Sequence, residues 1–273
     1  MPFEAYKIYQ EYEPDKYKTS TQEKVAKALA GAKKEGLVPK QEAIDFREVR
    51  EILGKDFLGP EAIEATLGIK LSPEELEQVE NIPFTREELE QAKELGMMLV
   101  LRVPHDTNKQ PLTLNRMREI LAGEDKLGDP QKKKSKLIYS QPGEGWYKDE
   151  AFATGSVTGF EWGLSKKEVL QESLSKNWDE QEEILKKWAE ENNIDPQTIR
   201  RRTPIEVAYD TMLYYGANKE TLLEETCDWT SVQSSDGKFV NVGNFDSDGL
   251  NVGNVSRDNR NSNLGVCPAR KSH

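Results

Sequence analysis

Asparagines are concentrated near the end of this chain of 273 residues. Seven of them lie between Asn241 and Asn263, as many as in the 240 residues that precede this stretch. Asparagine is depleted in strands and normally occurs in turns and caps, yet here it alternates with valine and glycine. Its amide group donates and accepts hydrogen bonds, and asparagine supplies adaptable polar contacts in antibody binding sites. The pattern therefore indicates a binding surface.

A plain solvated face is the alternative interpretation of these asparagines. Lysine, threonine and glutamate normally occupy such faces, so we favour a binding surface carried by a rigid β scaffold. The predicted ligand contacts are Asn241, Asn244, Asp246, Ser247, Asn251, Asn254, Asn259, Asn261, Ser262 and Asn263. The predicted scaffold residues, which should face inward, are Trp229, Val240, Val242, Leu250, Val252, Leu264 and Val266.

The elements that must position these side chains are short strands. In residues 239–245, valines alternate with phenylalanine and asparagine, which is the period of a half-buried strand. Residues 250–255 repeat the phrase, and the turn former Asp246-Ser247-Asp248-Gly249 lies between the two runs. Together they predict a β-hairpin. In residues 259–266, asparagines at every second position precede a further apolar strand end.

Four runs near the end of the chain carry a family resemblance. They are the segment from Trp229-Thr230 through Asp236-Gly237, Asp246-Ser247-Asp248-Gly249, Asp258-Asn259-Arg260 and the run from Leu264 to Arg270. Together they resemble the variable proteins of diversity-generating retroelements. The resemblance implies that an error-prone, adenine-specific reverse transcription of a template repeat rewrites these codons, and asparagine codons then change without becoming stop codons. The expected function is ligand binding by a variable surface on a fixed scaffold, without enzymatic activity.

The resemblance also implies a fold, because those variable proteins end in a C-type lectin-like domain. We expect an α+β protein with a helical arm or subdomain at residues 1–94 and a C-type lectin-like domain at residues 95–273. The variable region of that domain would span residues 238–266. In this fold the first and last strands pair and two helices pack behind them. The candidate strands ahead of the two helices are residues 97–103 and 162–164.

Helices are predicted from apolar spacing and from cap residues. The predicted helices include Thr21 to Ala32, a run through Phe46, Val49 and Leu53, starts at Ser72 and Thr85, a short helix at residues 112–121, a helix from Trp178 to Trp188, and one entered by Thr203-Pro204. Trp188 and Tyr209 lie at helical spacing, where aromatic residues usually pack into the core.

An enzyme related to the formylglycine-generating enzymes, which share this general fold, is the main alternative function. Residues 257–265 are similar to the closing segment of those enzymes, whose chemistry uses a paired cysteine site. Cys227 and Cys267 could serve in this way only if they meet in space, and both a bridge and free buried thiols are open possibilities. A structural or adhesion protein of fixed specificity is a further alternative, although no sustained heptads predict a fibre-like shaft.

Other catalytic and metal chemistry has little support. His105 and Asp106 are adjacent in sequence, and neighbouring residues rarely aim their side chains at one point. The Asp246-Ser247-Asp248-Gly249 run invites a calcium interpretation, but its glycine comes too early for an EF-hand loop and no glutamate closes it. We therefore expect neither a metal nor another cofactor.

Charge and hydropathy limit the class of partner. The chain carries a net charge of −11, with 36% hydrophobic and 32% charged residues, and has no apolar run near the ~20 residues of a membrane helix. Residues 229–273 contain five Lys/Arg and four Asp/Glu, and this nearly neutral end argues against nucleic acid. The first residues lack a secretory signal pattern. We expect a cytoplasmic protein, or one displayed through a partner, that binds a protein or another surface ligand, with the ligand and the oligomeric state left open.

Overall fold

The computed structural model describes residues 44–122, 138–139, 145–157 and 159–271. The described residues belong to one compact unit. The predicted helix at residues 21–32 lies outside the described residues. Helices and strands are interspersed along the described chain, so the protein belongs to the predicted mixed α+β class.

The described residues contain eight α-helices. They are α1 (Phe46–Leu53), α2 (Pro60–Leu67), α3 (Pro73–Val79), α4 (Arg86–Glu94), α5 (Leu114–Leu121), α6 (Ala151–Thr154), α7 (Trp178–Glu191) and α8 (Pro204–Asn218). Five of these helices begin with a capping box, in which the cap and the third helical residue bond reciprocally to each other's backbone. The predicted starts at Ser72 and Thr85 are confirmed among them.

Ten strands in the described part of the chain form two sheets of five. They are β1 (Phe57–Leu58), β2 (Met97–Arg102), β3 (Ile138–Tyr139), β4 (Glu161–Lys166), β5 (Ile199–Arg200), β6 (Cys227–Gln233), β7 (Phe239–Asp246), β8 (Gly249–Val255), β9 (Leu264–Gly265) and β10 (Ala269–Lys271). The first sheet has the order β1-β2-β4-β10-β5, and the second has the order β3-β8-β7-β6-β9. The predicted hairpin is confirmed as β7 and β8, with Asp246 paired to Gly249 across the turn.

The last strand pairs with β4. The apolar run at residues 97–103 forms β2, whose six residues are all buried, but β4 lies between β2 and β10 in the first sheet. The β4–β10 pair is antiparallel, with Ala269 opposite Ser165 and Arg270 opposite Leu164. The shorter of the two candidate strands, which forms β4, is therefore a partner of the last strand. Both long helices, α7 and α8, follow β4 in the chain.

Residues 44–94 pack into the same core as the residues that follow them, so the expected division at residue 94 does not appear. Phe57 in β1 pairs in parallel with Leu99 in β2. Helix α2 packs against α8 so closely that a Cβ on Gly216 would lie 2.1 Å from Thr66 Oγ1. The described helices before β2 are therefore a layer of the domain rather than a separate arm.

A buried chain of charges joins the two sheets through α8. Asp210 in α8 accepts hydrogen bonds from Arg102 Nε and from Arg202 Nη1, each at 3.0 Å. Arg202 Nε donates to Asp228 Oδ2 in β6 at 3.0 Å, and Asp228 Oδ1 accepts from the Cys267 N–H at 2.9 Å. The four charged side chains are at most 2% exposed. Because a buried charge that loses its partner is strongly destabilising, this network holds β2, α8 and β6 in one arrangement.

Candidate functional site

The two faces of the β7–β8 hairpin bury their apolar residues in different clusters. The inner face places Val240, Val242, Leu250 and Val252 in the main core, where Val266 also lies. The opposite face, called the outer face below, carries a smaller cluster that contains Trp229, Phe239 and Leu264. All seven predicted scaffold residues are therefore buried. Their division between two clusters was not predicted from the sequence.

The middle row of the outer face consists of Trp229, Asn241 and Gly253, which are cross-strand neighbours on β6, β7 and β8. The sequence predicts that Asn241 is an accessible ligand contact, but this residue is only 7% exposed. A Cβ on Gly253 would lie 3.2 Å from Asn241 Oδ1, so the amide occupies the space that a side chain at residue 253 would need. The prediction of an exposed side chain at Asn241 is wrong because its neighbours across the sheet enclose it.

The other nine predicted contacts keep access to solvent to different degrees. The exposed residues are Asp246, Ser247, Asn261 and Ser262, and the half-buried residues are Asn244, Asn251, Asn254, Asn259 and Asn263. They do not share one face of the hairpin, because Asn251 lies on the outer face whereas Asn254 lies at an inner-face position of the same strand. Asn244 and Asn263 come together, with Nδ2 of Asn263 3.5 Å from Oδ1 of Asn244.

Some of these amides already have partners within the protein. Asn254 Nδ2 donates to Ser234 Oγ at 3.0 Å. Asn259 Oδ1 accepts from the backbone N–H of Asn261 at 2.9 Å, which stabilises a local turn. The Asn251 Oδ1 atom is buried and has no hydrogen-bond partner within the described structure. Among the half-buried asparagines, Asn251 is therefore the one with a buried side-chain oxygen that accepts no hydrogen bond in the described structure.

The connection from β8 to β9, residues 256–263, lies against the start of α7. The Trp178 ring stacks on Phe239 with centroids 4.6 Å apart, and the Arg257 guanidinium lies 5.1 Å from the Trp178 centroid. Arg257 Nε also donates to Asp179 Oδ2 at 2.9 Å. From the sequence, Trp178 is predicted only as part of an apolar helix face, and Arg257 has no predicted role. The sequence does contain a signal for this contact, because the first turn of α7 is acidic and the loop carries two arginines, Arg257 and Arg260, three positions apart.

The two cysteines do not form a paired site. Both are free and buried, but Cys227 belongs to the outer-face cluster whereas Cys267 lies in the main core. Burial raises the pKa of the Cys227 thiol to about 12 and raises the pKa of the Cys267 thiol well above its usual value. Both thiols are therefore protonated near neutral pH and are poor nucleophiles.

The side chains of His105 and Asp106 bind different partners, although His105 Nδ1 also lies 3.1 Å from the Asp106 backbone carbonyl. His105 Nε2 lies 3.1 Å from Glu75 Oε1, whereas Asp106 Oδ2 accepts from Arg116 Nε at 2.8 Å. Burial acts to raise the pKa of Asp106, but hydrogen bonds from two backbone N–H groups and from Arg116 hold this pKa below its ordinary value. The carboxylate therefore organises the turn after β2, and it does not orient the imidazole.

Comparison with known proteins gives no relative for this chain. It matches no protein-family model, no curated protein and no solved structure. Among the helices that the structure describes, none is both long and apolar enough to cross a membrane.

Proposed function

We propose that this protein binds ligands through a C-terminal surface whose residues are diversified while its scaffold stays constant. The nine predicted contacts that keep access to solvent, from Asn244 to Asn263, are called the asparagine surface below. The diversification follows the resemblance to the variable proteins of diversity-generating retroelements. The ligand would be a protein or another surface molecule, and the site would act by binding rather than by catalysis.

The arrangement of strands and helices supports a C-type lectin-like fold for this function. The last strand, β10, pairs antiparallel with β4, and the two long helices lie between these strands in the chain. Four of the five strands of the second sheet, β6 to β9, which include the hairpin, also lie between them in sequence. A closed arrangement of this kind positions a strand-and-loop surface on a fixed frame, which is how binding loops are usually carried.

One observation carries the proposal, namely the separation of apolar and polar residues within the hairpin. Val240, Val242, Leu250 and Val252 are each 0% exposed. The residues that alternate with them, or that follow them in the turn and loop, are mostly asparagine, serine, aspartate and glycine; the exceptions are Phe239, Phe245, Val255, Arg257 and Arg260. Changes at the exposed positions therefore leave the core untouched, which is the property that a diversified surface needs.

An enzyme related to the formylglycine-generating enzymes is less well supported. The paired cysteine site of such an enzyme requires two thiols that act together. Here Cys227 and Cys267 lie in different clusters, and burial raises the pKa of each thiol. Replacing both by alanine should therefore leave ligand binding unchanged, and a loss of binding in a variant that still folds would favour the enzyme.

The proposal is tested by sequencing the codons for residues 229–273, with their flanking DNA, across a natural population of the host. We expect substitutions to concentrate at adenines in the codons of the asparagine surface, and the codons for the inner-face valines to stay constant. A near-copy of the segment should lie close to a reverse transcriptase gene. An invariant segment without such a copy would refute diversification and would leave a binding site of fixed specificity.

A further inference from the structure

The 256–263 loop contains residues that bind the rest of the protein as well as residues that face solvent. Its backbone is held at three points by groups outside the loop. The Trp178 N–H donates to the Arg257 carbonyl at 3.1 Å, the Ser175 N–H donates to the Asn261 carbonyl at 3.2 Å, and the Cys227 N–H donates to the Asn263 carbonyl at 2.8 Å. These bonds use only main-chain atoms of the loop, so they do not depend on its side chains.

Two arginines add side-chain contacts to the same helix end. Arg257 binds both carboxylate oxygens of Asp179 and also contacts Trp178. Arg260 Nη1 donates to Glu180 Oε2. A planar guanidinium group can bind a carboxylate through two parallel hydrogen bonds and can pack on an aromatic ring, so it fixes the orientation of the arginine side chain as well as its distance from the partner.

The carboxylates that receive these arginines are themselves held in place. Asp179 and Glu180 lie in the first turn of α7, where acidic residues interact favourably with the helix dipole. Glu180 Oε2 also accepts from the Asn177 N–H at 2.8 Å as part of the capping box. The arginines therefore bind to an ordered element that lies outside the asparagine-rich segment.

We infer that Arg257 and Arg260 are positioning residues, which hold the 256–263 loop on α7 so that Asn261 and Ser262 face solvent on a fixed backbone. This inference rests on the proposed function, and it divides the loop into two constant arginines and neighbouring replaceable residues. The side chains of Arg257 and Arg260 are themselves about half exposed, at 50% and 51%, but both guanidinium groups bind carboxylates of α7. A change at Asn261 or Ser262 removes no contact to α7, whereas a change at Arg257 removes both the ion pair and the ring contact.

Hydrogen exchange of the full chain tests this division. The backbone N–H groups of Asn259 and Asn261 bond within the loop, so their exchange reports loop opening. Arg257→Ala should speed their exchange about tenfold, the order of an exposed bidentate ion pair combined with a cation–π contact. Arg257→Lys should recover part of the protection. Charge reversal in the double variant Asp179→Arg/Arg257→Asp should recover more of it than either single reversal.

Two control variants separate positioning from general stability. Asn261→Ala should leave the exchange of the Asn259 N–H unchanged, because the Asn261 side chain is exposed. Arg86→Ala removes an exposed ion pair to Glu48 elsewhere on the surface and should not affect the loop. Loop exchange that is equal in Arg257→Ala and in the unmodified protein would overturn the inference. If Arg257→Ala does not fold, Arg257→Lys decides, because unchanged protection there also refutes the bidentate contact.

Natural variants provide a second, independent measurement. Arg257 and Arg260 should be retained in copies of the gene that differ at residues 261 and 262. If the two arginines are replaced as often as Asn261, the inference is overturned. An invariant segment combined with a loosened loop in Arg257→Ala would refute the proposed diversification. The same result would still support the positioning role of Arg257, because the exchange measurement does not depend on sequence variation.

Discussion

The interior charge network and the asparagine surface differ in how completely their polar groups are hydrogen-bonded. In the interior, Asp210 and Asp228 each accept hydrogen bonds from a buried arginine, and all four charges of the network are paired. On the hairpin, the Asn251 Oδ1 atom is buried without a partner in the described structure. The loop carrying Asn261 is held partly by its main chain. The charges that join β2, α8 and β6 are therefore all paired with one another, whereas the polar side chains of the hairpin and its loop differ in whether they have a partner.

The largest difference between the two regions should follow from placing a charge in each. Val242→Asp buries a carboxylate in a position with 0% exposure, which should cost at least about 4 kcal/mol and abolish cooperative folding. Asn261→Asp, at an exposed loop position, should change the free energy of unfolding by less than about 0.5 kcal/mol. Urea unfolding followed by circular dichroism measures both. Similar midpoints for the two variants would remove the distinction between core and surface.

A second test compares two carboxylates that each bind arginine. Asp210→Asn leaves Arg102 and Arg202 without their shared charged partner in the interior and should cost about 3–5 kcal/mol. Asp179→Asn removes the partner of Arg257 at the surface and should cost less than about 1 kcal/mol. Chemical denaturation gives both values. Equal losses would mean that burial does not separate the two networks.

The contrast between these regions also explains what could be predicted from the sequence. The β7–β8 hairpin follows from period-two alternation around a turn, and the helix starts at Ser72 and Thr85 follow from residues three positions apart. These signals are local, so one stretch of chain contains them completely. The burial of the inner-face valines follows from the same alternation.

The features that escaped prediction depend on residues far apart in the chain. Arg102 meets Asp210, and Arg202 links Asp210 to Asp228, only because β2, α8 and β6 pack together. Asn241 is buried because Trp229 and Gly253 flank it across two strand pairs. Such contacts leave no spacing pattern, and charged residues are normally expected at the surface. The choice of β4 as partner of the last strand is a long-range pairing of the same kind.

A third test uses pH to weaken one interior ion pair, that of Glu206. Burial acts to raise the pKa of Glu206, but the Arg200 hydrogen bond and the Arg102 charge outweigh it and hold this pKa far below its ordinary value of 4.5. A depressed pKa in the folded state contributes stability above pH 4.5, and that stability is lost as the pH falls further. Denaturation at a series of pH values should show a decline of at most about 1.4 kcal/mol per pH unit from this group.

The control for this pH dependence is Glu206→Gln, which removes the titrating group. The variant should be less stable than the unmodified protein at neutral pH, because Arg102 and Arg200 lose a charged partner. Its stability should then fall less steeply below pH 4.5. Identical slopes in the two proteins would show that Glu206 does not contribute to acid sensitivity.

A fourth test compares two glycines of the outer face. A Cβ on Gly243 would lie 2.2 Å from the backbone oxygen of Thr226, so Gly243→Ala requires a strand to move and should cost about 1–3 kcal/mol. At Gly253 the nearest atom is the Asn241 side-chain oxygen, 3.2 Å away, which can shift. Gly253→Ala should therefore cost less than about 0.5 kcal/mol. Thermal unfolding of the two variants measures the difference, and a reversed order would contradict the packing of the outer face.

The smallest expected effects distinguish two asparagines of the same strand. Asn254→Ala removes hydrogen bonds to Ser234 Oγ and Asp236 Oδ1 and should cost about 1 kcal/mol. Asn251→Ala removes a buried oxygen that lacks a partner in the described structure, so its stability should stay within about 0.5 kcal/mol of the unmodified protein. Equal costs in urea unfolding would mean that both asparagines belong to the frame. A neutral Asn251→Ala would instead mark residue 251 as a position where side chains can be exchanged without disturbing the hairpin, whereas an exchange at residue 254 loses the bonds to Ser234 and Asp236.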